Sequence, residues 1–292
     1  MLKNKKIKAL LLSLVSVSVL GTTSCGLSRQ EIVARAAQGA IAASIGYLTP
    51  ITPAQENQIG AQVIREVATQ YKEYTGNKEL VNYVRSVADK VFAQASRRNE
   101  INYQVYIVDS PEVNAFTIPG GAIFITTELL KYLKNEAELV SVLAHEVGHN
   151  ENKHPVETIK RAMAAQGLAQ GALSSNDNAL IQLLAQVSLD LILKGFSREQ
   201  EKESDQTSAV ILAKMNYDTD SLSGFLKTLL TLSKDPNGFV KLFYTHPGSQ
   251  ERIDNLNRFI ASKHIQNSSG ITNENTFKKY TSVLPPKIAL KK

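Results

Sequence analysis

The chain has 292 residues, 43% of them hydrophobic and 21% charged, with a formal net charge of +6. That length and apolar content place it among ordinary globular proteins able to bury a full core. Lys3, Lys5, Lys6 and Lys8 carry most of the positive balance, so the charge leaves no footprint for nucleic acid, and that class is excluded.

Those lysines open a segment that reads as an export signal. Ile7 to Leu20 is apolar but short for a membrane span, and small residues lead from it to Cys25. Cys25 is the only cysteine, which rules out an intrachain disulfide. Its place after Gly21-Thr22-Thr23-Ser24 resembles the lipobox of bacterial lipoproteins, although Thr22 stands where leucine is commonest. That resemblance implies a signal peptide over residues 1–24 and lipidation at Cys25. With Gly26 rather than Asp next, it implies a membrane anchor on the periplasmic side of the outer membrane. A soluble periplasmic protein, released by simple cleavage, is the alternative.

Residues 25–51 form an N-terminal segment whose alanine-rich stretch Ser28–Ile45 is helix-prone, broken by Pro50 and Pro53. A helix is expected from Pro53 to Tyr74, with Thr52 as N-cap and Gln55 completing a capping box. Leu80–Arg97 gives a second amphipathic helix. From Ile101 the pattern changes to alternation: Ile101, Tyr103, Val105 and Ile107 against Asn102, Gln104 and Tyr106. Val113–Ile118 and Ala122–Thr127 read as two further strands, hinged at Pro119-Gly120-Gly121. The fold class is therefore α+β, mainly helical with a small three-stranded sheet, in one domain over residues 52–263 and a tail over 264–292.

Next comes His145-Glu146-Val147-Gly148-His149. Asn135 can cap a helix here, and Leu139, Val142, Leu143 and Val147 give it an apolar stripe. On that helix His145 and His149 lie one turn apart on one face, within reach of a single Zn²⁺, and Glu146 beside them can take a proton from water. That is the equipment for hydrolysis of a peptide bond. The segment Met163–Phe196 is strongly apolar and reads as buried core helices, with a lid or partner surface as the alternative; Asp190 and Lys194 argue against a membrane span.

A catalytic zinc needs a third protein ligand. The run Ser197-Arg198-Glu199-Gln200-Glu201-Lys202-Glu203-Ser204-Asp205 begins with a capping box, and on the resulting helix Glu201 and Asp205 share a face. Glu201 can ligate while Asp205 accepts the outer N–H of a ligating imidazole. Spacing alone leaves Glu199, Glu201 and Glu203 open. His154 and His264 read as ordinary structural histidines.

The motifs His145–His149, Ser197-Arg198-x-x-Glu201-x-x-x-Asp205 and Asn114-Ala115-Phe116-Thr117-Ile118-Pro119-Gly120-Gly121 occur in one order over about Thr52 to Arg258. Together they resemble the gluzincin zinc metallopeptidases related to the CAAX prenyl endopeptidases, in the bacterial envelope quality-control branch of BepA- and LoiP-like proteases. The resemblance implies a zincin-type fold and one Zn²⁺ per chain held by His145, His149 and Glu201. It implies Glu146 as general base and Asp205 behind a ligand; Ser204 replaces the motif's usual alanine. It further implies site roles for His246, in a loop near the metal, and for Arg252. Ala115, Phe116, Thr117 and Ile118 would bind an extended substrate along a strand edge.

The expected function is a zinc metalloendopeptidase acting on unfolded or misassembled envelope proteins, associated through the anchor with the outer membrane and its assembly machinery. The second reading is a zinc-stabilised periplasmic chaperone or assembly factor whose peptidase site His246 keeps silent. No helical repeat follows the motifs, which weakens the scaffold reading.

Overall fold

A computed structural model describes residues 50–165, 185, 188–232, 241–246 and 250–287. The signal segment, Cys25, the stretch Ser28–Ile45, part of the apolar segment and Lys291-Lys292 lie outside the described residues.

Helix α1 (Pro53–Gln70) starts at Thr52, where the capping box with Gln55 forms. It stops before the expected Tyr74. Tyr71 is extended, and Lys72–Glu73 become a short strand β1. Helix α2 (Lys78–Phe92) is capped by Asn77 and buries Leu80, Val84, Val87 and Val91. Strands β2 (Gln104–Asp109), β3 (Ala115–Thr117) and β4 (Ala122–Thr126) follow.

The sheet has four strands, in the order β1-β2-β4-β3, which corrects the expected three. β2 and β4 run parallel, β3 returns antiparallel to β4, and β1 pairs antiparallel with β2 at the far edge. The extra strand had no alternating signature to betray it. Both of its residues are exposed, and backbone pairing with Val108 and Asp109 alone creates it. Gly120 and Gly121, at φ +83° and +93°, supply the left-handed turn between β3 and β4.

Apolar side chains leave this sheet on both faces. Val105, Ile107, Ile123 and Ile125 join one core with the helices, while Val108, Phe116, Phe124 and Ile118 join a second with α1, Leu189, Ile192 and Phe196. β4 is therefore buried at every position, as a central strand covered on both sides must be.

After the short α3 (Thr127–Tyr132), helix α4 (Glu136–Glu151) runs through the core of the described residues. Asn135 caps it, accepting from Glu138 N at 2.9 Å. It is buried well beyond its apolar stripe: Glu136 through Asn150 are all buried. Several of its polar residues meet polar partners from elsewhere in the chain, Glu136 the tyrosines Tyr83 and Tyr217, and His145 the Asp205 carboxylate. α5 (His154–Ala165), α6 (Arg198–Lys214), α7 (Ser221–Leu232), α8 (Lys241–Thr245), α9 (Gln250–Ser262) and α10 (Glu274–Thr281) complete the described elements. Among them α6 packs most extensively on α4. Among the described residues, no helix is long and apolar enough to cross a membrane.

At the start of α4, Glu136 accepts from Tyr83 Oη at 2.6 Å, Tyr217 Oη at 2.5 Å and Asn273 Nδ2 at 2.7 Å. Burial alone would raise its pKa, but these hydrogen bonds outweigh burial and hold it below the ordinary 4.5. The unfolded chain therefore binds this proton first as pH falls. The stabilisation is complete above about pH 4.5 and is lost as pH drops through the folded value. Thermal melts from about pH 6 down to 3 should show stability falling more steeply in the wild type than in Glu136→Gln. Equal slopes would remove Glu136 from the acid transition.

Candidate metal and active site

Four elements deliver the chemistry-bearing side chains to one buried point. α4 carries His145, Glu146 and His149, α6 carries Glu201 and Asp205, His246 follows α8, and α9 carries Arg252. The capping box between Ser197 and Gln200 starts α6 so that Glu201 falls in its first turn. Gly148 lets α6 approach α4: a Cβ there would lie 2.9 Å from Ser204 Cα and 3.0 Å from its carbonyl oxygen. Among the three glutamates left open by spacing, only Glu201 faces the histidines. Glu199 is exposed and pairs with Lys202, while Glu203 turns to His154.

One donor atom from each of His145, His149, Glu201 and His246 lies within 4.8 Å of the others, and all four residues are buried. The Nε2 atoms of His145 and His149 are 3.1 Å apart. Two nitrogens bound tetrahedrally at the usual Zn–N length of about 2.0–2.1 Å would be roughly 3.3 Å apart. Glu201 Oε1 is 3.5 Å from His149 Nε2 and 3.0 Å from His246 Nδ1, and Glu201 Oε2 is 3.5 Å from His145 Nε2. Glu146 lies beside this group, its Oε1 3.5 Å from His246 Nε2. Glu146 Oε2 and His246 Nε2 are buried without a hydrogen-bond partner among the described residues. Two imidazoles, a carboxylate and inward-facing unpaired atoms, shut away from water, form a donor set that fits a metal ion.

Behind the donors, His145 Nδ1 lies 3.0 Å from Asp205 Oδ1. Arg252 grips Asp205 with two nitrogens, at 2.7 and 2.9 Å, and reaches Glu201 Oε2 at 2.7 Å and the His246 carbonyl at 3.3 Å. Burial would raise the carboxyl pKa values here. The neighbouring His246 and Arg252 side chains outweigh burial and hold Glu201 well below the usual range, and Arg252 foremost lowers Asp205. Burial would lower His145, but the Asp205 and Glu201 carboxylates push it up to about 9. Burial, reinforced by His145, holds His149 well below the ordinary value and so neutral. Burial raises Glu146. An apolar chamber of Val142, Leu222, Phe225, Leu226, Leu229 and Leu242 adjoins Glu146 and His246 and supplies that low-dielectric surrounding.

Ala115, Phe116, Thr117 and Ile118 lie in β3 and just after it, at the sheet edge nearest α4, and all are buried. α8 packs on that strand: Leu242 N donates to Val113 O at 3.0 Å and Thr245 Oγ1 to Asn114 Oδ1 at 3.5 Å. Sequence reasoning missed His154. It is buried, and its Nδ1 lies 3.0 Å from His149 Nδ1. Helical spacing gives no warning of this, because Lys153, at φ +59°, ends α4 and turns the chain back. His264, also at positive φ, is exposed and far from these contacts in the chain.

Residues 78–260 match the model for peptidase family M48. The chain is 28% identical over 201 residues to the metalloprotease YcaL of Escherichia coli (strain K12), covering 68% of this chain and 74% of that protein. It is 24% identical over 218 residues to the mitochondrial metalloendopeptidase OMA1 of Schizosaccharomyces pombe, covering 72% of this chain and 63% of that one. It is 24% identical over 216 residues to the beta-barrel assembly-enhancing protease of Escherichia coli (strain K12), covering 68% and 42%. The chain thus spans less than two thirds of the length of these last two relatives.

Arg252 is the cation shared by the buried carboxylates of Glu201 and Asp205. Arg252→Met should destabilise the metal-free protein by about 3–5 kcal/mol, because it strands those charges. Arg252→Lys should recover only part, since a point charge cannot reproduce the fork. Urea unfolding measures both, and a wild-type midpoint in Arg252→Met would refute the assignment.

Proposed function

Because the chain belongs to peptidase family M48, we propose that it is a zinc-dependent endopeptidase of the bacterial cell envelope, in the quality-control branch related to the CAAX prenyl endopeptidases. The observation that carries this is the buried donor cluster of His145, His149 and Glu201 with Glu146 beside it.

His145, His149 and Glu201 would hold the metal. Zinc bound there supplies Lewis acidity, which polarises a carbonyl and brings the pKa of water to about 7. Glu146, raised by burial, takes the proton of the attacking water as the new C–O bond forms. It then delivers that proton to the amine nitrogen as the C–N bond breaks. Asp205, fixed by Arg252, orients His145. An extended substrate chain would lie along β3 at Ala115–Ile118, read through its backbone and so with little sequence preference.

In the described conformation β3 is buried under α8, and His246 sits within the donor set. We take this as the resting form, in which His246 holds the fourth donor place; substrate entry then requires α8 and His246 to move off. The same observation favours the second reading, a zinc-stabilised chaperone or assembly factor with a silent peptidase site. The relative named as a beta-barrel assembly-enhancing protease supports envelope proteins as substrates. The lysine-rich apolar start and the Cys25 context support export and an outer-membrane lipid anchor.

Degradation of unfolded casein tests the peptidase. Wild-type protein should cleave it, lose activity to a chelator and regain it with zinc. Glu146→Gln should keep its zinc and lose about 10²–10⁴-fold in rate, the usual contribution of general acid–base catalysis. His246→Ala should cleave faster than wild type. A slower His246→Ala would make the histidine a helper of the reaction, and zinc content without turnover in any form would favour the chaperone.

Labelling with a fatty acid tests the anchor. The label should appear on the wild type and vanish in Cys25→Ala, and an unlabelled wild type would disprove lipidation.

A further inference from the structure

His149 makes a polar contact on each side of its ring. Its Nε2 faces the donor cluster, 3.1 Å from His145 Nε2 and 3.5 Å from Glu201 Oε1. Its Nδ1 faces away and lies 3.0 Å from Nδ1 of His154. The other nitrogen of His154, Nε2, is 2.8 Å from Glu203 Oε2. Ser204 Oγ lies 3.4 Å from His154 Nδ1. Phe196 stacks over His149 at 3.9 Å between ring centroids, so the imidazole is held on its face as well as its edge.

The protons in this row can be assigned from its ends. For Nε2 of His149 to offer a lone pair to a metal, the single ring proton must sit on Nδ1. That N–H donates, so Nδ1 of His154 accepts, and the His154 proton sits on Nε2. There it donates to the Glu203 carboxylate, which when ionised can only accept. Each atom in the row has a compatible partner, and no other arrangement of single protons leaves His149 Nε2 free. His145 reaches the same state more directly, with Asp205 at its Nδ1.

We propose that His154 and Glu203 are positioning residues that fix the tautomer and ring orientation of His149 for metal binding. They do through one intervening imidazole what Asp205 does for His145 by direct contact. This rests on His149 being a metal ligand. It adds an orienting pair that the pentapeptide and the Ser197–Asp205 motif do not contain as such. Glu203, one of the glutamates that spacing left open, acquires a task other than ligation.

Zinc affinity of the full chain, measured by competition with a chromogenic chelator, tests the relay without any substrate. His154→Phe keeps a ring but loses acceptor and donor, and should bind zinc about 10–100-fold more weakly, the usual effect of losing an outer-shell partner. His154→Gln offers an amide oxygen to His149 and an amide N–H to Glu203, and should recover most of that loss. Glu203 is half exposed, so Glu203→Ala puts the fold at little risk; it should weaken zinc and alter the visible spectrum of the cobalt-loaded protein. Melting of the metal-free forms should match wild type in Glu203→Ala and His154→Gln. Wild-type zinc affinity in both His154→Phe and Glu203→Ala would overturn the relay, as would equal weakening by Phe and Gln at position 154. A wild-type chain that binds no zinc would instead remove the metallopeptidase reading itself.

Discussion

Where Gly148 meets Ser204, α4 and α6 come so close that a single methyl group would lie 2.9 Å from the opposing backbone. His145, His149, Glu201 and Asp205 are all referred to that contact. His145 and His149 sit on either side of Gly148 in α4, and Glu201 and Asp205 flank Ser204 in α6. The two helices pressed together bring these four side chains to separations of 3.0–3.5 Å. Ligand geometry is therefore a property of helix packing, and a loop could not hold it as closely.

The same packing puts ionisable groups where water cannot reach them, and their charges must be settled internally. Glu201 is held low by His246 and Arg252, and Asp205 by Arg252, which spans both carboxylates. Glu146 has no such cation in direct contact, and burial pushes its pKa upward. Carboxylates in one buried cluster are thus driven apart, the stabilised pair toward holding charge and the third toward moving a proton. Arg252 also reaches the His246 carbonyl, so the network that anchors the α6 carboxylates also ties down the residue in the fourth donor place.

Local signals were strong wherever the side chain and its partner are near in sequence. The capping boxes at Thr52 and Ser197, the Asn135 cap and the glycine turn after β3 were all legible, because each is closed by residues within a few positions. The alternation of β2 was legible from its buried and exposed residues, though the strand starts at Gln104 and not at Ile101. β1 was not, since nothing in Lys72 and Glu73 distinguishes a strand from a helix end. The apolar stripe of α4 was legible, but not that the whole helix is enclosed by elements from distant parts of the chain.

The residue order by itself determined that His145 and His149 share one face of a helix: two histidines four apart face one way whatever surrounds them. It also brought Glu201 and Asp205 to one face of a second helix. Spacing leaves Glu199, Glu201 and Glu203 open, because helical phase sets a direction but not the neighbour lying in it. The family resemblance points to Glu201, and the tertiary structure shows that it is Glu201 that meets the histidines. It brought His246, which the resemblance places near the site, among the donors across 101 positions, and it alone folded His154 back onto His149 through the left-handed Lys153. Those contacts depend on where the chain returns in space, and periodicity along the chain carries no record of that.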